Sequence, residues 1–357
     1  MELDWDKYKL SNKLIFDTPL EYILLLPNKE QLLISYKSNI KIYNIKTLEL
    51  KGEITFENIE KIENLYLLKS GLISICTKNC ILLIELNEDN TYKMFQTIEF
   101  PEIPESQDFK HLIELKNSNL CFLSKDKIYI YEKDINNNKY KNKITLVENY
   151  VQKYEDRKGY NQSCIELIYP EKNIENKISV YLSNVNRLSF WDLNSKQKIN
   201  DTKNNYCNTF DCNDMFCLMN KGKYLLCACI DEAIKFYSTE SCELVKTLCD
   251  EYWHITVLKI NEEEILSGGD FGTITLYHFD FDKDEFKNTE LTYLDMKLTK
   301  KVEKKVDLII PKEIEENKSD YGHGKAISEI RRFGDTIISS SCYEKDSQFY
   351  VCSWNKD

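Results

Sequence analysis

The sequence predicts an all-β fold, a seven-bladed β-propeller of four-stranded antiparallel blades, and three observations lead to this prediction. Short runs of β-branched and aromatic residues, separated by turn residues, fill the chain and are typical of strands. Patterns that begin an amphipathic helix are almost absent, which disfavours an alternating β/α architecture. One type of strand also recurs at intervals close to the length of a propeller blade.

The recurring strand ends in an aromatic or bulky residue that is followed by a polar one. The residues at this position are Tyr43, Ile84, Tyr131, Trp191, Tyr237, Tyr277 and Trp354. Their spacings are 41, 47, 60, 46, 40 and 77 residues. Most of these lie near the ~40–45 residues of a blade. The longer ones predict insertions, which we place at residues 148–162 and 298–322.

The outer strand of the last blade is predicted to come from the N-terminal region. The final repeat has three predicted strands, the last of which ends at Trp354, and no fourth one. A spare strand at residues 13–17 precedes the first inner strand at residues 21–26. We expect the spare strand to complete the last blade, since two exposed sheet edges would otherwise remain.

The second insertion contains a possible helix. Leu298, Val302, Val306 and Ile310 lie four residues apart among several lysines, and Pro311 follows them. This pattern fits about two turns of a basic amphipathic helix that ends at the proline. A solvated loop is the other interpretation of the same residues.

Composition and charge narrow the class of partner. The chain has 357 residues and a formal net charge of −11, and nonspecific binding to nucleic acid needs a basic surface, so we expect no nucleic-acid partner. No apolar run reaches the ~18 residues of a membrane helix, and the first residues are acidic where a signal peptide would be basic. The 13 cysteines are odd in number, which favours reduced thiols in a cytoplasmic protein.

No cluster of chemically active residues predicts an enzyme, a metal or a cofactor. Cys207, Cys212 and Cys217 are five residues apart, which is not the closely spaced pairing of zinc ligands. Cys217 and the nearby Cys227 lie in apolar strands, so we interpret them as buried structural thiols. The four histidines fall in four different repeats. We therefore expect no catalytic residue, no cofactor and no metal site.

Several short motifs resemble those of the WD-repeat propellers. They are the dipeptide Trp191-Asp192, the turn-and-strand segments 230–237 and 267–274, and the ordered set of Gly322-His323, residues 339–341 and Trp354. The resemblance extends over nearly the whole chain. It implies a rigid ring that serves as an interaction platform, and it implies that His323 braces its blade by donating a hydrogen bond to a hydroxyl.

The sequence therefore predicts a scaffold that binds other proteins, as a subunit of a larger complex. The predicted contact residues lie in or beside turns on one face of the ring, and they are Arg187, Asp231, Trp253, Phe271 and Tyr343. Two alternatives stay open. Arg331-Arg332 resembles, in scrambled order, the arginine pair of phosphoinositide-binding propellers, although contact with a membrane is not expected of so acidic a chain. An enzyme with carboxylates in the central channel is the other alternative.

Overall fold

The protein is described by a computed structural model in which strands form seven separate antiparallel sheets. The described residues are 8–17, 20, 22–99, 109–124, 127–147, 162–182, 187–202, 216–229, 233–249, 254–269, 274–281, 285–291, 301–302, 327–341 and 349–356. Six sheets have four strands and one has five, so the predicted seven-bladed propeller is confirmed.

Each blade except the last uses consecutive strands. Blade 1 consists of β2 (Tyr22–Leu26), β3 (Gln31–Tyr36), β4 (Asn39–Asn44) and β5 (Leu50–Thr55). Blade 2 consists of β6 (Ile62–Leu67), β7 (Ile73–Thr77), β8 (Cys80–Leu86) and β9 (Tyr92–Glu99). Blade 3 consists of β10 (Phe109–Glu114), β11 (Leu120–Ser124), β12 (Lys127–Lys133) and β13 (Tyr140–Val147). Blades 4 and 5 consist of β14 (Gln162–Tyr169), β15 (Ile174–Leu182), β16 (Arg187–Asp192) and β17 (Gln197–Thr202); and β18 (Phe216–Met219), β19 (Tyr224–Cys229), β20 (Ala233–Ser238) and β21 (Leu244–Cys249). Single 3-10 turns follow β2 and β14, at Pro27–Lys29 and Pro170–Lys172.

The remaining two blades depart from this simple order. Blade 6 consists of β22 (His254–Lys259), β23 (Glu264–Gly269), β24 (Ile274–Asp280), β25 (Glu285–Leu291) and the short β26 (Lys301–Val302). Blade 7 consists of β27 (Ile327–Phe333), β28 (Thr336–Ser341), β29 (Phe349–Lys356) and β1 (Tyr8–Phe16).

The blades stand around a ring with their first strands innermost. The first strand of every blade contacts the first strand of the next one, and β27 contacts β2, which completes the circle. Because successive strands are antiparallel, all connections fall on two faces. The upper face is the one that contains the connections from the second to the third strand of each blade and the connections from one blade to the next. The lower face has the connections from first to second strand and from third to outer strand.

The predicted closure by the N-terminal strand is confirmed. β1 pairs with β29 along its whole length, and this pairing places Lys13 opposite Cys352 and Phe16 opposite Phe349. Phe16 also reaches the next blade, where its ring contacts Tyr43 edge-on with the ring centroids 6.3 Å apart. The N-terminal strand therefore completes one sheet and joins it to the first blade.

The seven residues that revealed the repeat occupy equivalent places. Each lies late in the third strand of its blade and pairs with an apolar residue of the second strand, as Tyr43 does with Leu32 and Trp354 with Ile337. All seven are buried, and the core lies between neighbouring blades. For example, the rings of Phe190 in blade 4 and Tyr237 in blade 5 are 6.0 Å apart. The spacing of these residues thus records the packing of one blade on the next.

Outer strands are bulged opposite these residues in every blade but the sixth. Leu50 pairs with Tyr43 and Gly52 with Ile42, which leaves Lys51 as an extra residue, and the same shift occurs in blades 2, 3, 4, 5 and 7. The pairing of β24 with β25 runs without a shift. A bulge twists a strand and disfavours further pairing at a sheet edge. The regular β25 is the outer strand to which a fifth strand, β26, is added.

The fifth strand of blade 6 was not expected from the sequence, which predicted four strands in each blade and a possible helix in insertion 298–322. Blade 6 is not limited to four strands, because Lys301 and Val302 pair with Leu291 and Glu290. The helix interpretation is also wrong at these two residues, which are extended. The regular edge of β25 offers hydrogen bonds that an isolated two-turn helix cannot match, since short helices are marginal in water. The other residues of insertion 298–322, and insertion 148–162 up to Gln162 at the start of β14, lie outside the described residues.

Side-chain amides join neighbouring blades at the lower ends of their outer strands. The amide residue just after the bulge reaches a main-chain carbonyl oxygen of the next blade in three cases, Asn12 to Lys46 at 2.9 Å, Gln96 to Tyr140 at 2.9 Å and Asn200 to Cys242 at 2.7 Å. Gln96 also accepts a hydrogen bond from the main-chain N–H of Tyr140 at 2.8 Å. In blade 1 the equivalent residue is Gly52, and there Asn90 of blade 2 reaches back to the carbonyl oxygen of Lys51 at 3.2 Å.

Candidate functional site

The five residues predicted to bind a partner all belong to connections of the upper face. Arg187 is the first residue of β16 and pairs with Leu182 across the turn, although its side chain lies outside the description. Asp231, Trp253, Phe271 and Tyr343 lie outside the described residues. In the chain, 231 stands between β19 and β20, 253 before β22, 271 between β23 and β24, and 343 between β28 and β29, and the described ends of these strands meet the upper face. Their role in binding stays a prediction.

The two faces differ in the length of their connections. On the lower face no connection is longer than the six residues from Asp134 to Lys139. On the upper face the longer connections are residues 100–108, 148–161, 203–215, 303–326 and 342–348. Loops on a rigid scaffold are where binding residues usually lie. The difference in length therefore makes the upper face the better candidate for a large, variable binding surface.

A small polar cluster marks the upper side of blade 1. The Tyr36 hydroxyl donates a hydrogen bond to Glu53 Oε1, and Lys41 Nζ lies 5.0 Å from the centroid of the Tyr36 ring. Burial, together with the neighbouring carboxylate, raises the pKa of Tyr36 well above its ordinary value. The phenol consequently stays protonated and acts as a hydrogen-bond donor, which suits a structural or recognition role better than one as a base.

On the lower face, carboxylates of one blade hold the innermost turn of the preceding blade. In each case a main-chain N–H of the turn donates to a glutamate of the next blade. The pairs are Lys69 with Glu114, Lys116 with Glu166 at 2.6 Å, and Lys221 with Glu262 at 2.6 Å. Such charge-assisted bonds between blades make the ring stiffer than side-chain packing alone would.

Two of these carboxylates titrate in opposite directions. Burial raises the pKa of Glu166, and the hydrogen bond from the Lys116 N–H only partly offsets this effect. Partial burial also acts on Glu262, but hydrogen bonds from Lys259 and from the Lys221 N–H outweigh it and lower its pKa. An enzyme with carboxylates in the central channel would need an inner-strand carboxylate with a raised pKa, and Glu166 has one. Its Oε2 accepts the structural hydrogen bond from the Lys116 N–H.

The arginine pair that suggested a phosphoinositide site lies at the lower end of β27. Arg331 Nη1 donates to the carbonyl oxygen of Ile330 at 3.1 Å, and Arg332 Nε donates to that of Gly334 at 2.9 Å. Both guanidinium groups therefore contribute hydrogen bonds to their own strand and turn. This arrangement does not converge on a single phosphate position.

All but one of the cysteines whose burial is described are buried, and the exception is Cys80, which is half-buried. Cys217 and Cys227 lie in the hydrophobic core, as the apolar strands around them predict. Burial raises the pKa of Cys217 to about 12 and that of Cys352 to about 12. Thiols with so high a pKa are poor nucleophiles and poor metal ligands at neutral pH. Cys207 and Cys212 lie outside the described residues.

Among the described residues, no group of three or more His, Cys, Asp or Glu side chains could hold a metal ion. The same part of the chain contains no helix with the length and hydropathy of a membrane span. No protein-family model matches the sequence, and no curated protein sequence matches it either. The chain is a seven-bladed β-propeller.

Proposed function

We propose that the chain is a protein-interaction scaffold and one subunit of a larger assembly. The observation that carries this proposal is the concentration of all long connections on the upper face. Those connections include the predicted contact residues Arg187, Asp231, Trp253, Phe271 and Tyr343. Exposed arginine and aromatic side chains are the residue types that anchor interfaces between proteins. The upper face is therefore the proposed partner site.

The stiffness of the ring supports a scaffold. The amides of Asn12, Gln96 and Asn200 and the carboxylates of Glu166 and Glu262 all form hydrogen bonds between blades. A ring held in this way keeps the strand ends of different blades at fixed positions. A preorganised surface loses less conformational entropy when a partner binds.

We further propose that the chain is a divergent WD-repeat propeller that works in the cytoplasm. Trp354 Nε1 donates to Ser339 Oγ at 2.7 Å, which joins two members of the motif in blade 7. Trp191 of blade 4 also donates to a hydroxyl, that of Ser189 at 3.1 Å. The cytoplasmic location is supported by the odd number of cysteines, since reduced thiols persist in that compartment.

Affinity capture from the source cells tests the scaffold proposal. The tagged chain should co-purify a reproducible set of proteins, and a variant with Arg187→Glu and Phe271→Ala should lose them while its melting temperature stays unchanged. The control variant carries Lys46→Glu and Leu50→Ala, which alter an exposed lysine and an exposed leucine near the lower face. The upper face is not the partner site if the control loses the partners and the Arg187 variant retains them.

A further inference from the structure

Lysines line the innermost turns of five consecutive blades on the lower face. These turns connect first to second strands, and so they surround the lower mouth of the central channel. We name this set the basic arc, and its members are Lys29, Lys69, Lys116, Lys172, Lys221 and Lys223. All six side chains are exposed. Such an arc is unexpected in a chain with a net charge of −11.

The acidic residues of the lower face are placed differently. Within the same five turns the acids are Glu30 and Glu171, and Glu30 is paired with Lys46 on the outer side at 3.1 Å. Three carboxylates of neighbouring blades, those of Glu114, Glu166 and Glu262, also reach these turns, where each accepts a main-chain N–H. The outer connections, from third to outer strand, contain more acids than bases in blades 2 and 5. In blades 6 and 7 the innermost turns are acidic, with Glu262, Glu263 and Asp335. The lower face therefore has a basic centre on one side, with acidic residues opposite it in blades 6 and 7 and beside it in blades 2 and 5.

The lysines of the arc have weak or uncharged partners in the described part of the chain. Lys29 Nζ contacts the carbonyl oxygens of Leu86 at 2.5 Å and Asn87 at 3.3 Å, and Lys69 Nζ contacts that of Leu115 at 2.8 Å. Three others form exposed ion pairs, Lys116 with Glu175 at 2.9 Å, Lys172 with Glu240 at 3.4 Å and Lys221 with Glu171 at 3.7 Å. Lys223 Nζ lies over the Tyr224 ring at 5.0 Å. Exposed ion pairs contribute little to stability, so another carboxylate can replace the partner at little cost.

We propose that the basic arc binds an extended acidic segment of a partner protein across the lower mouth of the channel. Positive side chains at successive blades match a row of carboxylates along a chain, and complementary charge of this kind sets the specificity and the rate of association. The acids of blades 6 and 7 and of the outer connections in blades 2 and 5 repel the same segment, which favours the arc over those positions. This site is separate from the upper face, so it adds a second contact to the proposed scaffold.

The arrangement favours a peptide over a compact phosphate ligand. A phosphate site needs donors that converge on one group, and arginine forks serve best for that purpose. The arc has no arginine, and its six lysines are spread over five blades. Point charges at separate positions suit separate carboxylates instead.

Fluorescence anisotropy of a short, labelled poly-glutamate peptide tests the proposal with the purified full chain. The parent protein should bind the peptide at low salt and lose it at high salt, because screening weakens exposed charges. The arc variant carries Lys116→Gln, Lys172→Gln and Lys221→Gln, whose side chains are 58%, 51% and 72% exposed. We expect it to bind at least about tenfold more weakly than the parent.

A matched control separates position from charge. The control variant carries Lys46→Gln, Lys51→Gln and Lys141→Gln, which remove three exposed, ion-paired lysines from outside the arc and change the net charge equally. It should retain the affinity of the parent within about twofold, and both variants should melt like the parent. Three results would overturn the proposal. They are an equal loss of affinity in the two variants, no binding of the peptide by the parent, and tighter binding of inositol hexakisphosphate than of the peptide. No outcome depends on the upper face, because the assay contains no natural partner.

Discussion

The indole of Trp354 is tied to Ser339 by a hydrogen bond of 2.7 Å, from Nε1 to Oγ, in the fully buried interior of blade 7. In blade 4 the residue equivalent to Ser339 is Val180, and the hydroxyl comes instead from Ser189 across the same pair of strands, at 3.1 Å from Trp191 Nε1. Both tryptophans thus keep an acceptor, although the two serines lie on different strands. A buried indole N–H needs a partner wherever the chain can supply one.

The Ser339→Ala variant should be less stable than the parent by about 1–3 kcal/mol, because it removes a buried acceptor from the indole. Urea denaturation measures this difference. The matched control is Ser353→Ala, since Ser353 is equally buried in the same blade and its hydroxyl has no hydrogen-bond partner within the described residues. The control should be neutral or slightly stabilising. Equal effects of the two substitutions would show that the bond to the tryptophan contributes nothing specific.

Replacing Gln96 with alanine should destabilise the ring by about 1–2 kcal/mol, since it removes two hydrogen bonds to the main chain of Tyr140 in the next blade. Gln96→Glu keeps the acceptor for the Tyr140 N–H and loses the donor, so its stability should lie between those of the parent and the alanine variant. Thermal unfolding measures both. An alanine variant as stable as the parent would mean that these two hydrogen bonds contribute nothing to the joining of blades 2 and 3.

Deletion of residues 1–18 should lower the melting temperature by several degrees. It removes β1, which leaves β29 as an unpaired edge and takes the Phe16 ring away from Tyr43. Differential scanning calorimetry measures the change. Ile15→Ala serves as the control, because this β1 side chain is 54% exposed and its truncation should change little. A deletion variant that melts like the parent would contradict closure by this strand.

Glu166→Gln and Glu262→Gln should shift stability in opposite directions at neutral pH. The folded-state pKa of Glu262 is lowered, so its carboxylate stabilises the fold above its unfolded pKa, and this contribution is lost as the pH falls. The pKa of Glu166 is raised by burial, so its ionisation costs stability as the pH rises past the unfolded value.

Accordingly, Glu262→Gln should lower stability at neutral pH by a fraction of a kcal/mol, as expected of an exposed pair, and should have less effect in acid. Glu166→Gln should be neutral or stabilising at neutral pH and lose this advantage in acid. Urea denaturation over a range of pH values measures both profiles. Parallel profiles for the two variants would contradict the opposite directions of the shifts.

Limited trypsin digestion should first cut within residues 300–321. This stretch is dense in lysine, and exposed connections are where proteolytic cuts concentrate. The two fragments should stay associated, because a cut beyond Val302 falls between blades 6 and 7 and leaves every described sheet intact. Mass spectrometry of the early fragments locates the site. Early cuts inside a blade would contradict the assigned boundaries.

The repeat could be predicted because its marker residues obey a local rule. Tyr43, Trp191 and Trp354 each end a short apolar strand, and such a pattern needs no knowledge of distant residues. Closure by β1 followed from the same reasoning, since a missing strand and a spare one are both visible along the chain. These features determine the fold class and the order of the strands.

Features that depend on contacts between blades could not be predicted in this way. Gln96 looks like any polar residue of an outer strand, and its partner Tyr140 lies 44 residues away. The pairing of Val302 with Glu290 depends on the regular edge of β25, which only the register of the sheet reveals. The basic arc was missed for the same reason, since its lysines come together only when five separate turns surround one channel. The upper-face site rests on residues beyond the described ones, so it remains a hypothesis.

The pairing of β1 with β29 also determines how the ring responds to mechanical force. Tyr8 is opposite Lys356, so a load applied through the two ends of the chain acts on the same end of this strand pair. Antiparallel strands pulled from one end separate one hydrogen bond at a time, whereas strands pulled from opposite ends must break many bonds together. Under such a load, β1 should therefore separate from β29 one hydrogen bond at a time and at low force. Tension between its ends would release β1 before it disturbed any other blade.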